Sequence, residues 1–333
     1  MPTTVGAVES GHCKLATDRF KDARMTTDEM ADLRKLRYNS TVVHLDQIHP
    51  DLMVLRVKPD FPRPAYLAGQ YCALGLGNWE ARVEGCQAES LKAEDLSKLV
   101  RRSYSISSSI YQRPGHLRDM AQDDFVEFYI VLVRENFDGR VPALTPRLFA
   151  LKPGDRLSMG EKIVGHFTSE PVKPGDNVVL LGTGTGEAPH NAIVWDLLRK
   201  GHTGNIVQAC CVRLRKDLGY LGTHRQLMEQ FPTYKYLGLT TREPGMTHKV
   251  YIQDCITSGE LEQALGANLE PAKTHVYLCG NPKMIGVPVK DKQTGVRGYP
   301  EPTGVIEILE KRGFQADNAA TKLKGNIHFE EYW

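Results

Sequence analysis

One stretch of this 333-residue chain decides its fold: Asn177-Val178-Val179-Leu180-Leu181-Gly182-Thr183-Gly184-Thr185-Gly186-Glu187-Ala188-Pro189. A short apolar run enters a turn that contains three glycines, and a helical pattern follows over residues 192–198. Glycines allow the backbone to approach a phosphate closely, and the start of a helix supplies N–H donors and partial positive charge. The stretch therefore predicts a phosphate-binding turn between a strand and a helix. A ligand-free tight turn is the alternative, and Glu187 favours it because a carboxylate at this point would compete with an anion.

The pattern downstream of this turn alternates between strand and helix. Apolar runs that fit buried strands lie at Ile206–Val212, 234–239 and 275–279, and residues 223–229 fit a helix. Strands that alternate with helices in this way predict a parallel, doubly wound α/β sheet.

The pattern upstream of the turn is different. Short β-rich runs lie between proline and glycine turns, at residues 41–45, 53–57, 71–74, 104–106 and 125–133. This spacing predicts an antiparallel β-barrel or sandwich, without βαβ units. Residues 89–100 fit a short amphipathic helix inserted between two strands. A second short helix is predicted over 144–151, with Thr145 as its N-cap.

The change of pattern near residues 168–172 gives a domain boundary. We expect an N-terminal extension over residues 1–33, a β-barrel domain over 34–170 and an α/β domain over 171–333. Two domains also fit the length of the chain, since domains usually have roughly 100–200 residues.

Composition excludes several classes of protein. The net charge is only +2 and no basic stripe is present, which argues against a nucleic-acid binder. No apolar run reaches the roughly 18 residues of a membrane span, and the polar N-terminus lacks the apolar region of a secretory signal. The seven cysteines contain no C-x-x-C pair, which argues against a disulfide framework, a zinc site and an iron–sulfur cluster. We therefore expect no bound metal, reduced thiols and a cytoplasmic location.

A second motif lies on a predicted strand of the first domain, at Arg101-Arg102-Ser103-Tyr104-Ser105. Side chains two residues apart on a strand point to the same face, so Arg102 and Tyr104 share one. An arginine can bind a diphosphate with two parallel hydrogen bonds, and a tyrosine beside it can stack on a planar ring. Taken alone, these residues fit an ordinary exposed strand face better.

Two further motifs lie near the C-terminus. Cys279-Gly280-Asn281-Pro282 follows an apolar strand, at the end of the sheet where ligands of α/β folds bind. A buried structural cysteine followed by a turn is the alternative. The chain ends in Tyr332-Trp333, although termini usually fray. Two aromatic side chains at this position would cover a flat ligand or, alternatively, anchor the tail.

These four motifs, in this order, resemble the bacterial branch of the ferredoxin–NADP reductase family over roughly residues 38–333. The R-x-Y-S flavin motif of that family is matched by Arg102-Ser103-Tyr104-Ser105, and its G-T-G-T-G-x-A-P loop by residues 182–189. Its C-G-N-P-x-M segment is matched by residues 279–284, and one bacterial subgroup also ends in Tyr-Trp. The resemblance implies a flavoprotein oxidoreductase with an FR-type FAD-binding domain and an NADP-binding α/β domain. It further implies hydride transfer between NADPH and FAD N5, and single-electron exchange with a ferredoxin or flavodoxin.

The resemblance also implies roles for residues at the flavin. Arg102 would pair with the FAD diphosphate, Tyr104 would stack on the isoalloxazine ring, and Ser105 would place its hydroxyl near flavin N5. A second flavin segment, where a helix N-terminus would meet the diphosphate, is matched loosely by Gly139 and Thr145-Pro146-Arg147-Leu148. Trp333 would lie against the adenine of FAD, with Tyr332 close by.

At the nicotinamide cofactor, the resemblance assigns the diphosphate to the loop of Gly182, Thr183, Gly184, Thr185 and Gly186. Cys279 would sit beside the nicotinamide, followed by Gly280 and Asn281. The 2′-phosphate would be bound by Arg213, Arg242 and Lys249. A planar guanidinium clamps a phosphate well, although solvated loop arginines are the alternative. Tyr104, Ser105 and Cys279 would then be the residues closest to the chemistry.

The chain departs from the family pattern in three places. Glu187 stands where the family usually has an aliphatic residue, and residues 85–100 and 287–304 look like insertions. The insertions could reshape the carrier site or a contact between subunits, and the oligomeric state stays open. Because electron carriers are usually acidic, a basic patch is expected at the flavin edge. Its candidates are Arg101, Arg113 and Arg118.

Three other functions compete with this one. A reductase of the same fold could serve another acceptor, such as an oxygenase system. Such reductases usually add a C-x4-C-x2-C cluster motif, which this chain lacks. The chain could also be a flavin-binding module without catalytic activity. A plain Rossmann dehydrogenase is disfavoured, because the first half of the chain is rich in β-strands.

Overall fold

The computed structural model describes residues 25–135, 140–290, 293–318 and 321–332. In chain order, the first part contains α1 (Thr27–Arg37), β1 (Ser40–His49), β2 (Leu52–Pro59), β3 (Tyr71–Gly77), β4 (Leu99–Ser107), β5 (Tyr111–Arg113), β6 (His116–Leu117), β7 (Val126–Val131), α2 (Thr145–Leu148) and β8 (Arg156–Met159). The second part contains β9 (Asn177–Thr183), α3 (Glu187–Arg199), β10 (Ile206–Val212), α4 (Leu221–Gln230), β11 (Tyr234–Thr240), α5 (Ile252–Thr257), α6 (Glu260–Leu265), β12 (Thr274–Gly280), α7 (Pro282–Ile285), β13 (Val289–Lys290), β14 (Arg297–Gly298), α8 (Val305–Glu310) and β15 (Ile327–Glu331). Across these described ranges, every helix is too short or too polar to cross a lipid bilayer.

The first part folds as a closed antiparallel barrel. Its strands follow the order β1-β2-β7-β4-β3-β8. Alternate positions of these strands point inward, and their apolar side chains fill the barrel, among them Leu55, Ile106 and Phe128, which are fully buried. The predicted antiparallel β-barrel is therefore confirmed.

The predicted helix over residues 89–100 is wrong. Only Ala93–Asp95 forms a single 3-10 turn, and residues 99 and 100 already belong to β4. The segment is held instead by a side-chain contact, because the Glu89 carboxylate pairs with the buried guanidinium of Arg147 at 2.5 Å. Such a tertiary contact outweighs the small preference of a short polar segment for helix.

The predicted extension over residues 1–33 is partly structured. Residues 1–24 lie outside the described range, but α1 begins at Thr27 behind a capping box formed by Thr26 and Glu29. Arg34 of this helix donates two hydrogen bonds, of 2.8 and 2.7 Å, to the carboxylate of Glu80 on the barrel side. The helix is thereby attached to the barrel.

The second part folds as a five-stranded parallel sheet with the order β11-β10-β9-β12-β15. Two apolar clusters cover its two faces. β9 and β10 are largely buried on both faces because both faces of the sheet are covered, as in other parallel sheets. The chain winds outward from β9 in one direction and returns through β12 in the other. This reversal is the switch point at which open α/β sheets bind ligands, and the predicted doubly wound sheet is confirmed.

The barrel and the sheet contact each other beside this switch point. Val54 and Tyr129 of the barrel pack against Ala188 of α3 and against Tyr220. The Tyr129 hydroxyl accepts a hydrogen bond from the Gly219 N–H (3.0 Å), and the Ser107 and Tyr220 hydroxyls lie 3.2 Å apart. Apolar packing and hydrogen bonds together hold the two units across the seam.

Candidate active site

The glycine-rich turn lies where the ends of β9 and β12 approach each other. A Cβ atom on Gly186 would lie 2.2 Å from the Cys279 carbonyl oxygen, and one on Gly280 would lie 2.3 Å from Thr183 Oγ1. Glycine is required at both positions because no side chain fits. The Thr183 hydroxyl accepts a hydrogen bond from the Asn281 N–H at 2.8 Å. The two sequence motifs predicted to bind the nicotinamide cofactor are therefore in direct contact.

A cleft of about 1150 Å³ opens between this turn and the rim of the barrel. Its barrel side includes Leu132 and Val133, and its far side includes Tyr251. Nine of the residues predicted from the sequence line it: Thr183, Gly184, Thr185, Arg213, Arg242, Lys249, Gly280, Asn281 and Tyr332. The cleft is large enough for an extended ligand and reaches from the glycine-rich turn to the predicted phosphate-binding cations.

The three predicted phosphate-binding cations, Arg213, Arg242 and Lys249, are exposed in the cleft. The Nε atom of Arg213 lies 3.6 Å from a carboxylate oxygen of Asp217. The backbone N–H of Arg242 donates to the carbonyl of Arg213 at 2.8 Å, which joins the two loops that carry the arginines. The two arginines thus stand on adjoining loops although these loops follow different strands, and Lys249 lines the same cleft.

Ser105 reaches the seam from the barrel strand β4 and contacts the C-terminal strand of the sheet. Its hydroxyl donates to a carboxylate oxygen of Glu330 at 3.3 Å and accepts from the Tyr332 hydroxyl at 2.7 Å. The Tyr332 hydroxyl also lies within hydrogen-bond range of the Cys279 thiol, and its backbone N–H donates to the Gly280 carbonyl at 2.8 Å. The serine predicted at the flavin and the cysteine predicted at the nicotinamide therefore share one neighbour, Tyr332.

Burial changes the acid–base properties of this cluster. Desolvation raises the pKa of the Glu330 carboxyl to about 7, against the opposing effect of the Ser105 hydrogen bond. Desolvation also raises the pKa of the Cys279 thiol and the Tyr332 hydroxyl well above their usual values. The cysteine and tyrosine stay neutral near pH 7, whereas Glu330 can hold or release a proton there.

Glu330 is a site residue that the sequence interpretation missed. The available signal was a carboxylate on a strand next to the terminal aromatic residues. Its burial against Ser105 depends on the parallel pairing of β12 with β15, where Cys279 faces Glu330 in the register. That pairing is a long-range feature that the local sequence does not indicate.

The residues predicted at the flavin occupy the outer part of β4 and its surroundings. Arg102 is exposed and donates to the Arg101 carbonyl at 2.8 Å, and within the described part of the chain its guanidinium has no ion pair. Tyr104 is partly exposed and packs edge-on against Phe128, with ring centroids 6.5 Å apart. Two other predicted residues, Gly139 and Trp333, lie outside the described residues.

Thr145 does not cap the helix as the sequence predicted. The helix α2 begins at Thr145 itself, Leu144 occupies the cap position, and Pro146 follows in the first turn. The Thr145 hydroxyl instead accepts a hydrogen bond from the Val133 N–H at 3.2 Å. Thr145 therefore connects α2 to the segment that follows β7. Val133, in that segment, lines the cleft.

The prediction that Arg118 belongs to a carrier-binding surface patch is wrong. Arg118 is buried, and its guanidinium pairs with Asp123 at 2.8 Å and Glu127 at 3.1 Å. A buried cation keeps its charge only with such partners. Arg113 is exposed, and Arg101 is exposed with one hydrogen bond to Ser158 at 3.2 Å. These two arginines remain available on the surface.

The Glu187 carboxylate does not face the cleft. It points into the protein interior, where one oxygen accepts hydrogen bonds from His224 Nε2 at 3.0 Å and from the Tyr236 hydroxyl at 2.6 Å. The expected direct competition between this carboxylate and an anion at the turn is therefore absent from the geometry.

Known proteins identify the family. The oxidoreductase NAD-binding domain family matches residues 180–290. A flavodoxin/ferredoxin–NADP reductase of Shigella flexneri is 30% identical over 224 residues, which cover 66% of this chain and 76% of that protein. The chain belongs to the flavodoxin/ferredoxin–NADP reductase family. This family consists of flavoprotein NAD(P)H oxidoreductases, and membership confirms the resemblance found in the four motifs.

Solved structures show the fold of this flavodoxin/ferredoxin–NADP reductase family member in other proteins. A ferredoxin NADP+ reductase from Neisseria gonorrhoeae with bound FAD and NADP has a TM-score of 0.63 and 19% identity, covering 88% of this chain and 97% of that one. The Amycolatopsis cytochrome P450 reductase GcoB has a TM-score of 0.57 and 20% identity, covering 88% of this chain and 69% of that one. The same fold therefore serves reductases with different electron acceptors.

Proposed function

We propose that this chain is a ferredoxin–NADP(+) or flavodoxin–NADP(+) reductase that binds FAD and NADP(H) on either side of the seam between barrel and sheet. One observation carries the proposal. Ser105 of the barrel and Cys279 of the sheet lie within hydrogen-bond reach of the same Tyr332 hydroxyl, at the end of a cleft built from the glycine-rich turn. The family to which the chain belongs supports the same function.

The residues present fit FAD. The exposed guanidinium of Arg102, which has no ion pair among the described residues, suits a diphosphate, and the partly exposed ring of Tyr104 suits a planar ring. We assign FAD to the barrel domain of residues 34–170. Thr145, Tyr332 and the terminal Trp333 complete the proposed flavin site, together with Gly139.

The residues present also fit NADP(H), which we assign to residues 171–333. The glycine-rich turn leads into the 13-residue helix α3, whose N-terminus favours an anion. The exposed Arg213, Arg242 and Lys249 lie in the same cleft and suit a 2′-phosphate. Free thiols throughout the described cysteines support a reducing compartment, and we place the reaction in the cytoplasm.

The protein itself contributes position and proton control. Bound FAD supplies the hydride acceptor and can pass electrons on singly, so the main task of the chain is to orient its ligands. The hydroxyl of Ser105 is fixed by Tyr332 on one side and by Glu330 on the other. Glu330, whose pKa is raised to about 7, holds a proton one hydrogen bond away from Ser105.

A reductase that serves another acceptor, such as an oxygenase system, is the second candidate. It is favoured by the similarity in fold to a cytochrome P450 reductase. The two candidate functions share the same cofactors and differ in the electron acceptor. They are therefore distinguished by measuring which acceptor protein the enzyme reduces.

The identity of the carrier can be measured with the purified, FAD-loaded protein. With NADPH as donor, we expect reduction of ferredoxin or flavodoxin, at a rate that falls as salt rises because the carriers are acidic. Arg113→Glu should lower that rate by about 10-fold at low salt while NADPH oxidation with a small uncharged acceptor stays unchanged. The proposal fails if neither carrier is reduced while a cytochrome P450 or oxygenase component is.

A further inference from the structure

A buried polar cluster lies directly beneath the glycine-rich turn. It consists of Glu187, His224, Tyr234 and Tyr236, and we call it the sub-loop cluster. The Glu187 and His224 side chains are both fully buried. One oxygen of Glu187 accepts from His224 Nε2 and from the Tyr236 hydroxyl, while Oε2 has no hydrogen-bond partner among the described residues. A carboxylate is thus buried next to the cleft with one oxygen unsatisfied.

Further hydrogen bonds connect the cluster back to the same helix. His224 Nδ1 lies 2.9 Å from the Tyr234 hydroxyl, which donates to Gln208 at 3.2 Å. Gln208 donates to Asn191 at 3.0 Å, and Asn191 follows Glu187 by one turn of α3. The His224 ring also stacks on Tyr236, with centroids 4.0 Å apart. The chain of contacts therefore closes on the first turn of α3 and fixes the position of Glu187.

Charge decides what this arrangement means for the turn. Glu187 is the first residue of α3, immediately after Gly184–Gly186. The N-terminus of a helix attracts an anion such as a diphosphate, and an unpaired carboxylate buried at that terminus would repel it. His224 Nε2 donates to Glu187, and Nδ1 donates to the Tyr234 hydroxyl because that hydroxyl itself donates to Gln208. A histidine ring that donates from both nitrogens carries a positive charge, which offsets the negative charge of the carboxylate. His224 thus removes the negative charge that Glu187 would place below the turn.

We propose that His224 is a positioning residue for the dinucleotide: it neutralises Glu187 and so allows the glycine-rich turn to hold a diphosphate. This inference rests on the proposed function, because it takes the turn to be the diphosphate site of NADP(H). It predicts an effect that is equal for NADP+ and NAD+, since both contain the diphosphate. The 2′-phosphate cations predict an effect on NADP+ alone.

The test is calorimetric titration of the FAD-loaded protein with NADP+ and with NAD+. His224→Phe keeps a ring against Tyr236 but removes both nitrogens, and it should raise the Kd of both dinucleotides by about 10-fold. Adding Glu187→Gln to that variant removes the buried charge, and it should restore both Kd values to within about 3-fold of the wild type. Recovery through loss of a charge is a result that a purely structural role of His224 does not give.

Tyr234→Phe is the matched control, because it breaks the same network one bond further on and leaves the Glu187–His224 pair intact. It should change either Kd by less than about 3-fold. The inference is overturned if His224→Phe binds both dinucleotides as the wild type does. It is also overturned if Glu187→Gln fails to restore binding, or if Tyr234→Phe is as harmful as His224→Phe.

A substitute variant and the binding of NADP+ by the wild type distinguish failure of the inference about His224 from failure of the proposed function. If His224→Phe does not fold, His224→Gln with and without Glu187→Gln answers the same question, because glutamine also carries no positive charge. If the wild type itself does not bind NADP+, the proposed function fails and the role of His224 fails with it. Binding by the wild type together with an unaffected His224 variant removes only the inference.

Discussion

Replacement of both Arg213 and Arg242 by alanine is expected to lower kcat/KM for NADPH by about 1000-fold and to change the value for NADH by less than about 3-fold. Each arginine would make a charge-assisted hydrogen bond to the 2′-phosphate, worth roughly 2 kcal/mol, and two such losses give about that factor. NADH has no 2′-phosphate, so neither contact exists for it. Steady-state kinetics with both nucleotides measures the effect.

Arg215→Ala is the matched control for this double variant. Arg215 is exposed and lies two residues after Arg213, but it does not line the cleft. Its removal should change neither cofactor's kcat/KM by more than about 2-fold, because surface substitutions away from a site have small effects. An equal loss for NADPH and NADH in the double variant would show that the arginines do not recognise the 2′-phosphate.

Glu330→Gln is expected to lower the rate of NADPH oxidation near pH 6 by about 100-fold, which is typical for removal of a positioned acid or base. Glutamine keeps a hydrogen-bonding oxygen for Ser105 but cannot give up a proton. Because the pKa of Glu330 is raised to about 7, the carboxyl is protonated below that pH and loses its proton above it. The wild-type rate should therefore fall as pH rises through about 7, and the variant should lack this step.

Glu331→Gln provides the control for the Glu330 prediction. Glu331 is the next residue and also a partly buried carboxylate, but Ser105 bonds to Glu330. This variant should retain the pH step and most of the rate. A Glu330→Gln protein that keeps the wild-type pH profile would show that the proton resides elsewhere.

The features that the sequence predicted correctly depend on local patterns. The run of apolar residues before Gly182, followed by a glycine-rich turn, is typical of a strand covered on both faces, which indicates a parallel sheet. The glycines at 186 and 280 are required by a close approach of two backbones, and this requirement is visible as a motif. The barrel followed from short β-rich runs between turns. Ser105 and Cys279 each stand in a motif near the end of a strand, and their roles at the flavin and the nicotinamide stay predictions.

The features that the sequence did not reveal depend on distant contacts. Glu89 pairs with Arg147 in place of the helix that was predicted for its segment. Arg118 is buried because it pairs with two carboxylates. Glu330 becomes a site residue only because β15 pairs with β12. Glu187 looked unfavourable for an anion until the structure placed His224 beside it. In each case a charged residue contacts a side chain that is distant in the sequence, and no local pattern predicts that contact.

We propose that FAD and NADPH meet at the seam between barrel and sheet. This meeting can be observed by anaerobic titration of the FAD-reconstituted protein with NADPH, followed by visible absorption. We expect a yellow protein whose oxidised flavin absorption disappears rapidly on addition of NADPH. A protein that stays colourless after reconstitution, or retains its oxidised flavin absorption in excess NADPH, would show that the two cofactors do not meet there.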